Sequence, residues 1–194
     1  MGMNKLSTTA DDILDCAQRL IMAGGYNGFS YADIAAVVGI RKASIHHHFP
    51  SKADLVRTLI LRYREQALAG LAAVERADPN AQQQLGHYLG YWQKCLSDGT
   101  APICICALLS SELPVLPPSV AVQVQLHFAS LTEWVTSVLQ RGAQQGVFVL
   151  ASPPAEAAAF VATVHGGMLS ARVSGNPELF GSITAALLGR LRVS

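Results

Sequence analysis

The stretch Ser30–Lys52, SYADIAAVVGIRKASIHHHFPSK, predicts two short helices joined by a tight turn. The hydroxyl of Ser30 is suited to accept a first-turn N–H, so we expect the first helix to begin there. Gly39 supplies the positive φ that ends this helix and turns the chain sharply. The second helix is predicted from Arg41 to His48, because the residue before Pro50 is pushed out of the α region. Such a pair is a helix-turn-helix unit, whose second helix is suited to the DNA major groove.

The second helix of this pair has two different faces. Ile45 and Phe49 are four residues apart, so we expect them to share one face and to anchor the helix in a small core. The other face, called the reading face below, is short, polar and basic and consists of Arg41, Lys42, Ala43, Ser44, His46 and His47. It offers donors to phosphates and base edges, and an alanine permits close approach. Lys52, at the start of the next helix, is placed to bind a phosphate together with the helix N-terminus. Taken alone, such a basic helix is more often an ordinary solvated surface helix than a DNA-binding one.

The residues from Gly28 to Leu55 resemble the DNA-binding domain of the TetR family of transcriptional repressors. The matching order is G-F-S-x-x-D-I-A-x-x-V-G-I-x-K-A-S-I-x-H-H-F-x-S-K-x-D-L. His46 stands where the family usually has tyrosine, and Ala43 stands where glycine or proline is common. Following the resemblance, we assign Ser30, Tyr31, His47 and Lys52 mainly to phosphate contacts, and Arg41, Lys42, Ala43, Ser44 and His46 mainly to base edges.

Composition and charge favour a folded protein with a basic N-terminal part. Apolar residues make up 51% of the 194 residues and charged residues 14%, which suits a helical protein with extensive buried faces. The net charge of +1 excludes a uniformly basic coat. However, residues 1–64 carry eight Lys and Arg against five Asp and Glu, whereas the remainder carries six against eight. We therefore predict a DNA-binding head, residues 1–52, and a helical regulatory and dimerisation body, residues 53–194.

Targeting signals are not visible in the sequence. The N-terminus runs into the polar TTADD without an apolar segment, and no uncharged apolar run reaches the ~18 residues that a membrane-spanning helix needs. The four cysteines are irregularly spaced, which suggests reduced thiols. We therefore expect a cytoplasmic protein that does not contact membranes.

Apolar spacing predicts an all-α fold of about nine helices, three in the head and the rest in the body. The fourth helix, from Ser51 to about Ala77, has no flexible linker before it and is the expected mechanical connection between head and body. The eighth and ninth helices, about Pro154–Val173 and Pro177–Arg192, are expected to pair with their copies in a second subunit, as the resemblance also implies. The residues predicted for this dimer interface are Phe160, Val164, Met168, Ile183 and Leu187.

Two groups of residues suggest metal or redox chemistry. Consecutive residues on a helix point about 100° apart, so the three histidines His46–His48 cannot bind one ion, and no metal site is predicted there. Cys104 and Cys106 are expected on one short helix, Pro102–Leu113, about 200° apart, which makes a poor chelate and a poor disulfide. They are either small buried apolar residues or, with Cys95, sensors of oxidants or electrophiles. The resemblance implies the second alternative, because some TetR-like proteins use such a thiol as a sensor.

Aromatic and polar-tipped residues of the body either pack as ordinary core or line a cavity for a small, mostly apolar ligand. The resemblance implies such a cavity, with His127, His165, Glu112 or Arg172 orienting the ligand. The candidate ligand or sensor residues are therefore Tyr88, Tyr91, Trp92, Cys95, Cys104, Cys106, Phe128 and His165.

Catalytic signatures are missing from the sequence: it contains no nucleophile elbow, phosphate loop, HExxH or dinucleotide fingerprint. We predict no catalytic residues and no cofactor. The function that these patterns and the resemblance favour is a homodimeric repressor that binds a palindromic DNA operator and releases it on binding a small molecule or on thiol modification. The alternative is a helical small-molecule-binding or catalytic protein whose basic head is incidental.

Overall fold

The computed structural model describes residues 8–101 and 103–191, which form helices connected by short loops. The nine α-helices of these residues are α1 (Thr9–Gly24), α2 (Tyr31–Val38), α3 (Lys42–His48), α4 (Lys52–Ala77), α5 (Ala81–Asp98), α6 (Ile105–Ser110), α7 (Pro118–Gln144), α8 (Pro153–Ser174) and α9 (Glu178–Leu191). Two 3₁₀ turns, Tyr26–Gly28 and Leu113–Val115, complete the regular structure. The predicted all-α fold is confirmed.

The predicted helix ends are confirmed where a side chain or a glycine determines them. Ser30 caps α2, and Gly39 ends it in the left-handed conformation, with φ 76° and ψ 30°. Asn80 caps α5 through its side-chain oxygen, which accepts the N–H of Gln83 at 3.0 Å.

The sixth helix is shorter than predicted. It begins only at Ile105 and ends at Ser110, so that Cys104 precedes it and Cys106 lies within it. The five residues Ile103–Ala107 are all buried. Tertiary packing therefore sets the backbone here, overriding local helix preference.

The chain divides into two compact units. The first comprises the described part of Met1–Arg64 together with Ile105–Gln125, and the second comprises Glu65–Cys104 together with the described part of Leu126–Ser194. This division passes through α4 and α7. The boundary at residue 52 that the sequence suggests therefore stays a prediction about the DNA-binding part of the chain.

The first unit has a small apolar core beneath α3. Ile13, Ile34 and Ile45 are fully buried, and Leu55 and Leu59 of α4 are buried in the same unit. Arg62 of α4 forms an ion pair with Asp15 of α1 at 2.5 Å. Helices α1, α2 and α3 contact one another pairwise, so α3 is held in place by the two helices that precede it.

The second unit is organised around the packing of α8 against α9. A Cβ added at Gly167 would lie 3.3 Å from the ring of Phe180, so the missing side chain permits this close approach. Arg141 of α7 donates hydrogen bonds to Glu75 at 2.5 Å and to Gln84 at 2.9 Å, which joins α4, α5 and α7 within the unit.

The residues predicted for the dimer interface mostly lie inside the protomer. Phe160, Val164, Met168 and Leu187 are at most 4% exposed in the single chain, and Ile183 is half-buried beside Gly167. A side chain that already packs within its own chain has little surface to offer a partner, and the assignment of these five residues to an interface stays a prediction.

The outer face of α8 and α9 instead presents small residues. On α8 the exposed positions include Ala158, Ala162, Gly166, Leu169 and Val173, and on α9 they include Ser182, Ala185, Ala186 and Gly189. We call these nine residues the small-residue face. Both sets follow helical spacing, so each forms one stripe. Within residues 8–101 and 103–191, no helix is both long and apolar enough to cross a lipid bilayer.

Candidate functional site

The helix-turn-helix segment is fixed by a capping box at the start of α2. The hydroxyl of Ser30 accepts the N–H of Ala32 at 3.2 Å. The carboxylate of Asp33 accepts both the N–H and the hydroxyl of Ser30, each at 2.7 Å. These hydrogen bonds hold the pKa of Asp33 below its usual value of 3.8. Ser30 therefore has a clear structural role, whether or not it also contacts a phosphate.

Helix α3 is anchored from below and exposed above. Ile45 is fully buried and Phe49 is 6% exposed, as their spacing predicts. Phe49 ends the helix in extended conformation, and its N–H reaches the carbonyl of Ile45 at 2.8 Å. On the opposite side, all members of the reading face are exposed except Ser44, which is half-buried. The structure thus brings Arg41, Lys42, Ala43, Ser44, His46 and His47 together on one accessible surface.

His46 differs from the rest of the reading face because its ring is already engaged. It meets the ring of Tyr31 edge-on at 4.8 Å, and its Nδ1 lies 3.3 Å from the carbonyl oxygen of Pro50. With Nδ1 donating to that carbonyl, the lone pair of the neutral ring is on Nε2. His46 is therefore oriented as an acceptor towards solvent.

Tyr31, predicted as a phosphate contact, is a structural residue. It is only 6% exposed, and its hydroxyl donates a hydrogen bond to the carbonyl of Phe49 at 2.9 Å. Burial, with smaller effects of Asp54 and Tyr26, raises its pKa to about 12. The hydroxyl therefore stays protonated and ties the start of α2 to the end of α3, a role that its aromatic ring alone does not reveal in the sequence.

Lys52 also points into the first unit. Its ammonium donates to the carbonyl of Phe29 and lies over two rings, 4.1 Å from the centroid of Phe29 and 4.9 Å from that of Tyr26. Burial lowers its pKa, while Asp33 and Glu112 act in the opposite direction. The half-buried ammonium therefore already has internal partners, and its predicted phosphate contact stays a prediction.

The second cluster of candidate residues surrounds Cys104 in the second unit. The sulfur of Cys104 lies 3.8 Å from Nε2 of His127, and both residues are buried. His165 is 7% exposed, and its Nδ1 lies 2.8 Å from the carbonyl of Val161. Burial acts to lower the pKa of His165, but the Cys104 sulfur and the Val161 carbonyl outweigh it, so the net shift is upward. A thiol beside two imidazoles is a chemically competent site.

Aromatic side chains form the wall of this cluster. The ring of Phe128 lies 5.0 Å from that of His165, and the ring of Tyr88 lies 5.8 Å from that of Trp134. Trp92 is also buried, and the indole Nε1 of Trp134 has no hydrogen-bond partner among the described residues. Of the predicted ligand or sensor residues, the second unit therefore holds Tyr88, Trp92, Phe128, His165 and Cys104 in its interior.

Of the other predicted sensor residues, Tyr91 is exposed and the two cysteines, Cys95 and Cys106, are buried. Tyr91 is 59% exposed and lines an open groove of about 580 Å³ between α4 and α5, together with His87 and Lys94. Cys95 is buried on α5, and Cys106 is buried in α6 of the first unit, so neither thiol of the Cys104-x-Cys106 pair faces solvent. No disulfide joins any of the four cysteines, all of which lie among the described residues.

Glu112, considered as a ligand-orienting residue, has a different partner. Its carboxylate accepts the backbone N–H of Tyr26 within the first unit. His127, by contrast, is a member of the Cys104 cluster. The sequence identified His127 only as one of several residues that could orient a ligand. No spacing signal connects it to Cys104, because 23 residues and a loop separate them.

Comparison with known proteins matches this geometry. The family model for bacterial regulatory proteins of the tetR family matches residues 13–59. The crystal structure of a TetR-family transcriptional regulator from Agrobacterium tumefaciens is 55% identical, with a TM-score of 0.93 over 95% of this chain and 97% of that chain. This chain belongs to the TetR family of transcriptional regulators.

Two further proteins are similar to this TetR-family regulator. The crystal structure of a TetR transcriptional regulator from Legionella pneumophila is 28% identical, with a TM-score of 0.88 over 98% of this chain and all of that chain. The HTH-type transcriptional repressor LfrR of Mycolicibacterium smegmatis is 32% identical over 69 residues, which span 36% of this chain and 34% of LfrR. The segment α2–α3 is thus a DNA-binding helix-turn-helix.

Proposed function

We propose that this TetR-family regulator is a homodimeric repressor that places two copies of α3 in successive major grooves of a palindromic operator. The observation that carries the proposal is the division of α3 into a buried anchor, Ile45, and an exposed basic reading face. The repressor named LfrR, which matches part of this chain, supports repression as the direction of control. Half-sites about one helical turn apart are expected for such a dimer.

Within the reading face we assign roles by chemistry and exposure. Arg41 and Lys42 are cationic, exposed and at the start of α3, where they suit guanine edges or phosphates. Ala43 allows close approach, Ser44 and His46 offer hydrogen bonds to base edges, and His47 suits a phosphate. Ser30 is retained as a phosphate contact because its exposed backbone lies at the N-terminus of α2.

The DNA-binding part of the proposal is tested by gel-shift titration with DNA that flanks the regulator's own gene. We expect tight binding to a palindrome, and a Lys42→Ala change should weaken binding and reduce the salt slope by about one. Arg76→Ala removes an exposed cation at the far end of α4 and is the matched control. No binding to any palindrome in that region would contradict the proposal, whereas a reporter gene that is activated would contradict repression.

We assign dimerisation to the small-residue face of α8 and α9. Its side chains are short, so the backbones of two such helix pairs are able to approach closely and form a four-helix interface. The exposed apolar residues Leu169 and Val173 at one end of the stripe, 47% and 89% exposed in the single chain, add apolar area that a partner would cover.

We assign effector sensing to the interior of the second unit, where Cys104 lies among Tyr88, Trp92, Phe128 and His165. A small apolar ligand there, or a covalent bond from the Cys104 sulfur to an electrophile with His127 accepting the thiol proton, would change the packing of these residues. Helix α4 has residues in both units and is the proposed route to the DNA-binding part. A differential affinity of about 1–3 kcal/mol between two states is sufficient for such coupling.

The sensing part is tested by repeating the gel shift with a thiol-reactive electrophile, followed by a reductant where the adduct is reversible. We expect the reagent to release DNA from the wild type but not from a Cys104→Ser variant. Cys16→Ser removes another buried thiol, located in the first unit, and is the matched control. If the reagent still releases DNA from Cys104→Ser, another residue is the sensor. If the reagent does not release DNA from the wild type, the effector is a ligand.

A further inference from the structure

The Cys104-x-Cys106 pair does not have the geometry that makes two thiols on one helix a poor chelate. Helix α6 begins at Ile105, so Cys104 lies just before the helix and only Cys106 belongs to it. Side chains about 200° apart are expected only where both residues are helical. In the structure, one ligand atom from each of Cys104, Cys106 and His127 lies within 4.8 Å of the other two. The two thiols therefore converge on one place, beside an imidazole.

The spacing of these three ligand atoms is close to the spacing around a tetrahedral metal ion. The sulfur of Cys104 lies 3.8 Å from Nε2 of His127. A zinc ion binds sulfur at about 2.3 Å and nitrogen at about 2.0 Å, so its tetrahedral ligand atoms are about 3.6–3.8 Å apart. Since no two of the three ligand atoms are more than 4.8 Å apart, side-chain shifts of about 1 Å are sufficient to bind an ion.

Burial and charge indicate which ion suits the cluster. Cys104 and Cys106 are fully buried, and His127 is 6% exposed. Among the described residues no lysine, arginine or carboxylate is buried, so the ion itself has to balance the charge of its ligands. Two thiolates carry two negative charges, which one divalent ion balances without a further cation. Thiolate and imidazole ligands in tetrahedral geometry favour Zn²⁺ among the divalent ions.

We propose that Cys104, Cys106 and His127 form a buried site for one Zn²⁺ ion per chain. Each thiol gives its proton to solvent as its sulfur–zinc bond forms, and the neutral imidazole binds through a nitrogen lone pair, with no change in oxidation state. Three protein ligands leave the fourth tetrahedral position to a water molecule. The proposal deepens the sensing role assigned to Cys104, and it rests on the proposed function only for the effect of zinc on DNA binding.

The site is tested with the full-length protein, without DNA and under anaerobic conditions that keep the thiols reduced. Metal-free protein is titrated with Zn²⁺ in competition with a coloured chelator, whose absorbance measures the zinc that it retains. We expect one Zn²⁺ per chain, a loss of affinity of at least about 100-fold in Cys104→Ser and in Cys106→Ser, and of at least about 10-fold in His127→Gln. Cys16→Ser, which removes a buried thiol outside the cluster, should bind zinc as the wild type does.

X-ray absorption at the zinc edge of the wild type gives a readout that does not depend on how the variants fold. Two sulfur neighbours together with two nitrogen or oxygen neighbours support the site, whereas any other number of sulfur neighbours overturns it. Equal affinity of Cys106→Ser and the wild type, or no transfer of zinc from the chelator to the wild type, also overturns it.

Gel shifts on the same samples separate the zinc site from the proposed function. Zinc that binds at the site without changing the affinity for DNA refutes only its role as an effector. Protein that binds no DNA palindrome, either with or without zinc, contradicts the repressor and leaves the zinc site unaffected.

Discussion

Both carboxylate oxygens of Glu112 accept the backbone N–H of Tyr26, at 3.2 Å and 3.0 Å. The contact joins the turn after α6 to the turn before α2, and Gly25 makes room for it. Gly25 has φ 73° and ψ −172°, a region that is essentially restricted to glycine, and a Cβ there would lie 2.3 Å from Oε1 of Glu112. The carboxylate and the glycine therefore depend on each other.

A Glu112→Ala change is expected to lower the free energy of unfolding by about 1–3 kcal/mol, because it leaves the half-buried N–H of Tyr26 without its acceptor. Gly25→Ala should cost more, since it adds backbone strain and a clash. In the double variant the clash is absent although the strain and the lost hydrogen bond remain, so the cost of the double variant should be smaller than the sum of the two single costs. Chemical denaturation of the four proteins measures this coupling, with the exposed Glu133 changed to Ala as a control. Strict additivity would show that the two residues do not interact.

Lys52 and Lys42 provide a matched pair of cations with opposite expected effects. Lys52→Ala should lower the free energy of unfolding by about 1.5–3 kcal/mol, because the ammonium bonds to the Phe29 carbonyl inside the first unit. Its salt slope for DNA binding should stay unchanged. Lys42→Ala, on the exposed reading face, should leave stability within about 0.5 kcal/mol and reduce the slope by about one. A reduced slope for Lys52→Ala would restore its role as a phosphate contact.

Asp33 makes the stability of the DNA-binding part dependent on pH. Because hydrogen bonds from the Ser30 hydroxyl and N–H lower its folded-state pKa, the stabilisation is complete above its ordinary pKa of 3.8 and is lost as the pH falls through the lowered value. The melting temperature of Asp33→Asn should therefore lie below that of the wild type at pH 7 and approach it below about pH 4. Melting curves over this range check the prediction, with Glu133→Gln as an exposed control. A difference that persists at low pH would mean that charge is not the cause.

The small-residue face should tolerate no large side chain in the dimer. Ala162→Arg or Ala185→Arg is expected to give a folded monomer, because both positions are exposed in the single chain but lie in the middle of the proposed interface. Ala129→Arg, at an exposed position of α7, is the control. Light scattering on a sizing column measures the mass, and circular dichroism confirms the helix content. A dimeric Ala162→Arg protein would place the interface elsewhere.

Local chemistry predicted the N-terminal helices well. Ser30, Gly39 and Pro50 act on the backbone within a few residues, and the pair Ile45 and Phe49 follows from helical spacing alone. For this reason the bounds of α2 and α3 were within one residue of the prediction. Tyr31 and Lys52 were assigned to phosphates because both residue types suit phosphates when exposed, and only the tertiary fold shows their internal hydrogen bonds.

The body was harder to predict because its helices are apolar on several sides. In α8, Phe160, Val164 and Met168 looked like interface residues, yet they fill the core of their own protomer. The alanines that are exposed on α8 and α9 are only weakly apolar, so the apolar spacing in the sequence did not identify them. The pairing of Cys104 with His127 likewise depends on how α7 lies beside the chain segment before α6, which no local spacing encodes.

Helix α3 is anchored by a single fully buried side chain, Ile45. The residues that face outward, Arg41 to Ser44 with His46 and His47, contribute little to the core, so their identities are free to change. A gene duplication followed by a few substitutions there would yield a sister regulator that folds equally well but recognises another promoter. Ala43 and His46, the two departures from the residues common in the family, both lie on this exposed surface.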